Sequence, residues 1–341
     1  MIPLKPNPSA VRMIDHIRSA LRACFKGKSS SSSCRLSAAT IDSLVKAVVA
    51  VALGLRVAHL VDVAHLSSDQ INQLIALLRQ EPQCQPLLVL HFKDQYMFLC
   101  HRHELVQHVE ATLSDPNQWI YVDIRGSQGP PVQVVESLLQ HPPNPLRKVS
   151  LIKKITHNCN HPKTNNKRPC PEILLYWLRH RLQPFLMQGQ DDAVFYSSVV
   201  PSYMVALTGW LLEYPTIYMT HIESDTTVDQ ELDEWEMVPN CLGDRRLSLV
   251  RVWLHGASFW QDYMLLSYTY PELVIDDDDD DHDDDGTVDP TRNLGFKLQA
   301  RLERRQQQYQ QQQQVEGANN IIMDTRLEIV HEYVTLDRVA L

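Results

Sequence analysis

Segments with strand-like and helix-like hydrophobic spacing alternate along this chain of 341 residues. Residues 56–62 (RVAHLVD) predict a first strand. Ser67, with Gln70 three residues later, is the capping-box pattern that begins a helix. Residues 86–91 and 96–100 then predict a β-hairpin. Such alternation favours helices packed in layers on a sheet.

The C-terminal part of the chain adds strands that favour antiparallel pairing. Residues 247–254 and 263–268 predict a second hairpin, and residues 327–334 predict a final strand. Three leucines repeat every fourth residue and predict one face of a helix: Leu294, Leu298 and Leu302. We therefore predict a mixed α/β fold, mainly a layered αβα sheet, with antiparallel strands toward the C-terminus.

Biased segments divide the chain into a leader and one domain. Residues 1–37 predict a basic amphipathic segment followed by a serine-rich linker, and residues 38–341 predict a single α/β domain. Three stretches are predicted as insertions in this domain, because strand and helix patterns resume after each: the polar residues 156–170, an acidic loop at 276–288 and a glutamine-rich loop at 306–320.

The leader has apolar residues at helical spacing and basic residues around them. Its apolar residues are Val11, Ile14, Ile17, Leu21 and Phe25. A basic helix that docks on the domain and a mitochondrial transit peptide both fit this pattern. We favour the docked helix, because transit peptides are recognised from composition alone.

The charge and glycine content exclude two kinds of ligand site. The net charge is −9, and nine aspartates between residues 276 and 285 account for it, so the rest of the chain is balanced. No basic stripe of the kind that binds a phosphate backbone is present, and we expect no nucleic-acid partner. Only 11 glycines occur and none are spaced as G-x-G, which excludes most phosphate-binding loops.

The seven cysteines are widely spread and contain no C-x-x-C pair, which indicates reduced thiols in an intracellular compartment. We expect a cytoplasmic protein, with a mitochondrial location as the alternative. The longest uncharged run, residues 193–212, is long enough to span a bilayer. It contains serines and a proline in a strand-turn-helix pattern, so we expect it to be buried in protein and predict no membrane insertion.

Motifs for metal-dependent and nucleophilic catalysis are incomplete. His103 and Glu104 are followed by a second histidine at position 108, five residues from the first, where a zinc protease helix needs four. No serine is flanked as G-x-S-x-G, so a nucleophile elbow is absent. Residues 281–292 resemble a calcium loop, but Arg292 stands where a bidentate glutamate is needed.

Four soft-metal ligands lie in the polar insertion without zinc-site spacing: His157, Cys159, His161 and Cys170. We predict no metal and no cofactor.

The remaining candidate site is topological, because open α/β sheets bind ligands at the carboxyl ends of their strands. Asp62 and Asp123 end predicted strands and could act as acid and base or bind Mg²⁺. Ser197, Ser198 and Ser202 lie between a predicted strand and a helix N-terminus, where hydroxyls and amides could bind an anion. The alternative, which we favour, is that these residues cap helices and turns.

Four stretches resemble an uncharacterised eukaryotic family, a domain of unknown function whose human member is named only for an open reading frame on chromosome 1. They are ALGLRVAHLVD (52–62), LTGWLLEYPTIY (207–218), LLSYTYPEL (265–273) and TLDRVAL (335–341). The resemblance covers about residues 40–341 and implies no activity, cofactor or catalytic residue. It implies that the C-terminal strand belongs to the domain.

Two classes of function fit these observations. The first is a binding or interaction module with a protein partner. The second is a small-molecule enzyme, a hydrolase or a phosphate-handling protein, with its site at the strand ends. The two differ in whether Asp62, Asp123 and the serines meet in one pocket.

Overall fold

The structure is a computed structural model, and its elements follow the predicted alternation. It describes residues 8–25, 36–93, 95–124, 132–133, 170–189, 192–219, 242–256, 259–271, 290–316 and 321–335. The helices are α1 (Pro8–Cys24), α2 (Ala38–Ala52), α3 (Ser68–Leu78), α4 (Arg102–Ser114), α5 (Glu172–Trp177), α6 (Gln183–Met187), α7 (Met204–Leu211) and α8 (Pro290–Glu316). The strands are β1 (Ala58–Leu60), β2 (Leu87–Phe92), β3 (Tyr96–His101), β4 (Ile120–Asp123), β5 (Val132–Gln133), β6 (Val194–Ser197), β7 (Thr216–Met219), β8 (Arg246–His255), β9 (Tyr263–Pro271) and β10 (Arg326–Thr335).

The strands form three sheets. The first has the order β1-β3-β2-β6, with β2 and β3 as the predicted hairpin and β6 parallel to β2. The second has the order β5-β4-β7, with β4 and β7 parallel. The third has the order β10-β8-β9 and is antiparallel throughout. The predicted mixed α/β fold with antiparallel C-terminal strands is confirmed.

The first sheet is buried on both faces, which is the layered arrangement that the sequence predicts. All six residues of β2 are buried, and they alternate between two apolar clusters because strand side chains alternate in direction. Leu87 and Val89 join a cluster with α1, α2, α3, the third sheet and α8. Leu88 and Leu90 join a cluster with α4, α5 and α7 on the opposite face.

Helix α1 docks on the domain. Met13 and Ile17 are fully buried, and they belong to the same cluster as Leu44 of α2 and Leu74 of α3. Apolar burial of this size stabilises a helix by about 1.5–3 kcal/mol per large side chain. The expected docking of the basic amphipathic segment is thus confirmed.

The glutamine-rich stretch is helical, and its prediction as a loop was wrong. Gln306 to Gln314 lie in the C-terminal part of α8. Glutamine has a good helix propensity, and the stretch continues a helix that is already anchored by the buried Leu294, Leu298 and Leu302. Over the residues that the structure describes, no helix is long and apolar enough to cross a membrane.

Candidate functional site

Two of the predicted site residues lie at opposite edges of the first sheet. Asp62 follows β1, is exposed, and lies at one edge; Ser197 ends β6 at the other. The residue pairs across the sheet place both at the same level along the strands. Three inter-strand spacings of about 4.8 Å separate the edges by about 14 Å.

The other predicted residues do not close this gap. Asp123 ends β4, which belongs to the second sheet. The Ser197 hydroxyl donates a hydrogen bond to the carbonyl of Val199 at 2.8 Å, within its own turn. Ser198 is exposed, and Ser202 is half-buried in the turn before α7. The structure thus gathers no shared pocket from these residues, and their catalytic and ligand-binding roles stay predictions.

The metal-like motifs lie mainly outside the described residues. These are the acidic run and residues 156–169 of the polar insertion. Within the described ranges, no three His, Cys, Asp or Glu side chains are grouped as metal ligands.

The densest group of buried charges lies where α8 meets α4 and the end of α7. Arg301 of α8 donates hydrogen bonds at 2.8 and 2.9 Å to the two carboxylate oxygens of Glu213. Its Nε lies 3.0 Å from the carboxylate of Glu104 in α4. All three side chains are at most 4% exposed. We call these residues, together with Lys297 and Arg305, the buried ion network.

The outer members of the network also come from α8. Lys297 Nζ lies 3.0 Å from Glu213, and Arg305 lies 2.9 Å from Glu104. Because residues four apart lie on one helical face, the three cations at positions 297, 301 and 305 point to the same side of α8. Each carboxylate is therefore paired with at least two cations.

Glu213 has a backbone conformation that is unusual for a residue other than glycine. It lies two residues after α7 with φ of 62°, the left-handed region where a glycine commonly ends a helix. Its carboxylate also accepts a hydrogen bond from the backbone N–H of Val57 at 3.1 Å. The ion pair with Arg301 and this bond explain why a glutamate occupies the position.

Two buried histidines border the network. His108 Nε2 lies 2.8 Å from the carbonyl of Trp210, so this nitrogen carries the proton, and Nδ1 lies 3.5 Å from Lys297 Nζ. Burial and the charge of Lys297 lower the pKa of His108 to about 3. Burial and the charge of Arg305 lower the pKa of His101 to about 3. Both rings are neutral at pH 7.

Glu213 and Arg301 hold each other ionised. Burial alone would raise the pKa of Glu213, but Arg301 and Lys297 hold it well below its ordinary value. Burial opposes the charge of Arg301, but Glu213 and Glu104 raise its pKa. Perturbed groups of this kind mark either a reaction centre or a structural ion pair. Since both carboxylates are buried and ion-paired, we interpret the network as a structural one that fixes α8 on the domain.

The part of α8 that follows Arg305 also positions the start of β10. The side-chain amide of Gln306, one residue after Arg305, donates to the carbonyls of Ile322 and Thr325 at 3.1 and 2.9 Å, in the turn before β10. Gly256, at the end of β8 with φ of 138°, lies against the same turn, where a Cβ would meet the carbonyl oxygen of Asp324. The turn is thus held from both sides.

The strand that follows this turn has an uncovered side among the described residues. β10 pairs with β8 over ten consecutive residues without a register shift, and no other described strand borders it. We call the side of β10 that faces away from β8 the β10 edge. Tyr333 is 61% exposed, and the side chains of Glu328 and Glu332 are 59% and 46% exposed. An exposed regular edge is a template for pairing with another strand.

The opposite edge of the same sheet is less regular. β9 pairs with β8 through a ladder that shifts register at Val252 and Trp253. Bulges of this kind twist a strand and interrupt its pairing surface. The third sheet therefore offers β10 as its straighter edge.

Sequence reasoning missed both the network and the edge. A usable signal for the network was present, because Lys297, Arg301 and Arg305 repeat every fourth residue beside the leucine stripe of the same helix. For Glu213 there was no signal, because the neighbouring sequence does not indicate that a glutamate after a helix is buried. The edge depends on strand order, which the hydrophobic pattern does not specify.

Comparison with known protein families gives a match over most of the chain. The sequence model of a protein family, described as Domain of unknown function (DUF4504), matches residues 26–341. No curated protein and no solved structure matches the chain. The match includes the stretches on which the resemblance to a domain of unknown function was based, and that resemblance is confirmed.

Proposed function

The chain belongs to the family described as a domain of unknown function (DUF4504), and we propose that this domain is a binding module. It takes up an extended protein segment as an added strand at the β10 edge. The single observation that carries the proposal is the ten-residue, unshifted ladder of β10, whose other side meets no described strand. Added strands bind through main-chain hydrogen bonds, and alternate side chains give specificity.

The rigidity of the edge supports this function. Arg246 stacks on Tyr333 at 3.8 Å, and Arg251 pairs with Glu332 at 2.5 Å, so β8 holds β10 through side chains as well as backbone. Gln306 and Gly256 fix the preceding turn. A strand that is ordered before binding loses less conformational entropy when a partner adds to it.

The side chains along the edge define a suitable partner. One face of β10 presents Arg326, Glu328 and Glu332 at alternate positions. A segment with basic residues opposite the two glutamates and an acidic residue opposite Arg326 complements this face. Opposite charges that face each other across two strands stabilise the pairing.

The experiment uses a synthetic ten-residue peptide of this pattern, with Lys opposite Glu328 and Glu332, Glu opposite Arg326, and Val or Thr elsewhere. Binding to the full chain is measured by fluorescence anisotropy, and the site is located by amide hydrogen exchange. We expect binding, with slower exchange confined to β10 and its neighbour β8. A peptide that does not bind, or that protects another region, contradicts the proposal.

Two methylated peptides provide the control, since they change the backbone and keep the side chains. In an added strand, alternate amides face β10 and the others face away. Methylation of one alternate set should abolish binding, and methylation of the other should leave it. Equal binding by both peptides rules out strand addition.

We place this module in the cytoplasm, and mitochondria are the alternative. The support is that the apolar face of α1 is buried in the domain, and that the described Cys24, Cys84 and Cys100 are buried thiols. A fusion of residues 1–35 to a fluorescent reporter tests the location, because a mitochondrial signal would overturn it.

The enzyme alternative has less support. Its predicted residues, Asp62, Asp123 and the serines, lie on two sheets and at opposite edges of one of them. We expect no nucleic-acid partner, and the support is that the formal charge of the chain outside the acidic run is balanced.

A further inference from the structure

We propose that the occupant of the β10 edge is a second copy of this chain, paired antiparallel through β10 about a two-fold axis that lies between the two Ile329 residues. This inference rests on the proposed strand addition and specifies its partner. The two third sheets would join into one six-stranded antiparallel sheet, because each contributes three strands. A two-fold interface uses the same surface on both copies.

Charge selects the register of this pairing. In a two-fold antiparallel pair one residue faces its own copy, and all other pairs follow from that choice. An axis at Val330 would place Glu328 opposite Glu332 of the other copy. An axis at Glu328 or Glu332 would place that carboxylate opposite itself. Like charges that face each other across strands are destabilising.

The axis at Ile329 avoids these conflicts and pairs opposite charges. It places Arg326 opposite Glu332 of the other copy, and symmetry repeats this pair on the other side of the axis. The paired stretch runs from Arg326 to Glu332, with Leu327 opposite His331 and Glu328 opposite Val330. An axis at Leu327 also pairs Arg326 with a glutamate, but only three residues of β10 overlap there. No charged pair forms with the axis at His331 or Tyr333.

Helix α8 of the same chain packs on Ile329. Gly295 of α8 packs so closely on this residue that a Cβ would lie 2.8 Å from Ile329 Cδ1. The next residue, Phe296, is 62% exposed. A two-fold axis between the two Ile329 residues places α8 of both copies, and with it Phe296, on the same face of the joined sheet. Aromatic residues are enriched at protein interfaces.

The mass of the full chain in solution is the first measurement. Analytical ultracentrifugation from about 1 to about 500 µM should show a monomer–dimer equilibrium, since a short strand pair gives a weak interface. A chain that stays monomeric over this range overturns the inference.

Charge reversal identifies the surface. Arg326→Glu and Glu332→Arg should each raise the dimer dissociation constant by about tenfold or more, because each converts two attractive pairs into repulsive ones. When the two variants are mixed, each acid again faces a base, and a heterodimer should form. Homodimers of the single variants that remain as tight as wild type, or a mixture that does not associate, contradict the proposed register.

Two controls separate folding from pairing. Glu332→Arg also removes the contact with Arg251, so thermal unfolding of each variant must show a folded chain. Glu110→Arg reverses an exposed charge on α4, which packs on the opposite face of the first sheet, and should leave dimerisation unchanged. If the charge-patterned peptide binds but the chain is monomeric, strand addition stands and the second copy is wrong. If the peptide also fails, both proposals are wrong.

Discussion

Arg301 and Glu213 form a two-bond ion pair in the interior of the domain, although 88 positions separate them in the chain. Both side chains are almost fully buried. A buried pair contributes little relative to apolar residues of similar shape, but removing one member leaves the other charge without its partner. The pair therefore makes the position of α8 sensitive to single substitutions.

Arg301→Met should lower the free energy of unfolding by about 3–5 kcal/mol, because Glu213 and Glu104 lose their shared cation. Adding Glu213→Gln should recover part of this loss, since the uncompensated carboxylate is then removed. Guanidinium unfolding of the two single variants and the double variant measures the coupling. Additive losses would show that the two side chains do not interact.

Stability should fall as the pH is lowered from about 6.5, the ordinary pKa of histidine. His108 and His101 have pKa values of about 3 in the folded chain, so between these values the unfolded state binds protons that the folded state does not. Each histidine adds a slope of up to about 1.4 kcal/mol per pH unit. Below about pH 3 the folded state is protonated too, and this slope ends.

His108→Gln should flatten that dependence. The variant removes one titrating ring and keeps an amide that can donate to the carbonyl of Trp210. Urea unfolding between about pH 5 and 6.5 isolates the histidines, because carboxylates titrate at lower pH. A slope equal to that of the wild type would mean that His108 is protonated in the folded chain.

Gln306→Ala should loosen the start of β10. Its amide donates to carbonyls in the turn of residues 321–325, and losing these bonds costs about 1–2 kcal/mol. We expect faster amide exchange in the first residues of β10. Gln307→Ala, at an exposed position of the same helix, should leave exchange unchanged.

Gly256→Ala tests the other side of that turn. The added Cβ would collide with the carbonyl oxygen of Asp324 and lie 2.9 Å from Thr325 Cα, in a backbone conformation that alanine rarely adopts. We expect a loss of about 2–4 kcal/mol in stability. Gly189→Ala has a similar positive φ but meets nothing within 4 Å, so it measures the backbone cost alone. Equal losses in the two variants would exclude the collision as a cause.

Local patterns predicted the elements of this fold well. The capping box of Ser67 and Gln70 begins α3 with both reciprocal bonds, and the leucine spacing of α8 is a buried face. The prediction of a glutamine-rich loop was wrong, because composition was given more weight than helix propensity. Composition indicates an unusual segment, but it does not indicate its backbone conformation.

The same local patterns did not predict how the strands and helices are arranged in space. The hydrophobic pattern marks β1 and β6 as strands, but it does not state that two other strands lie between them. For this reason the sequence left open whether Asp62 and Ser197 converge, whereas the strand order places them at opposite edges of one sheet. The partners of Glu104 likewise come from a helix about two hundred positions later, which no local signal specifies.

The order of synthesis gives the buried ion network one further consequence. A ribosome produces Glu104 and Glu213 well before α8, whose cations neutralise them. Until that helix emerges, a nascent chain that buried these acids would bury uncompensated charge, so the finished packing is disfavoured. We therefore expect the packing around Glu104 and Glu213 to become stable only once α8 has been made, which places this step of folding late in synthesis.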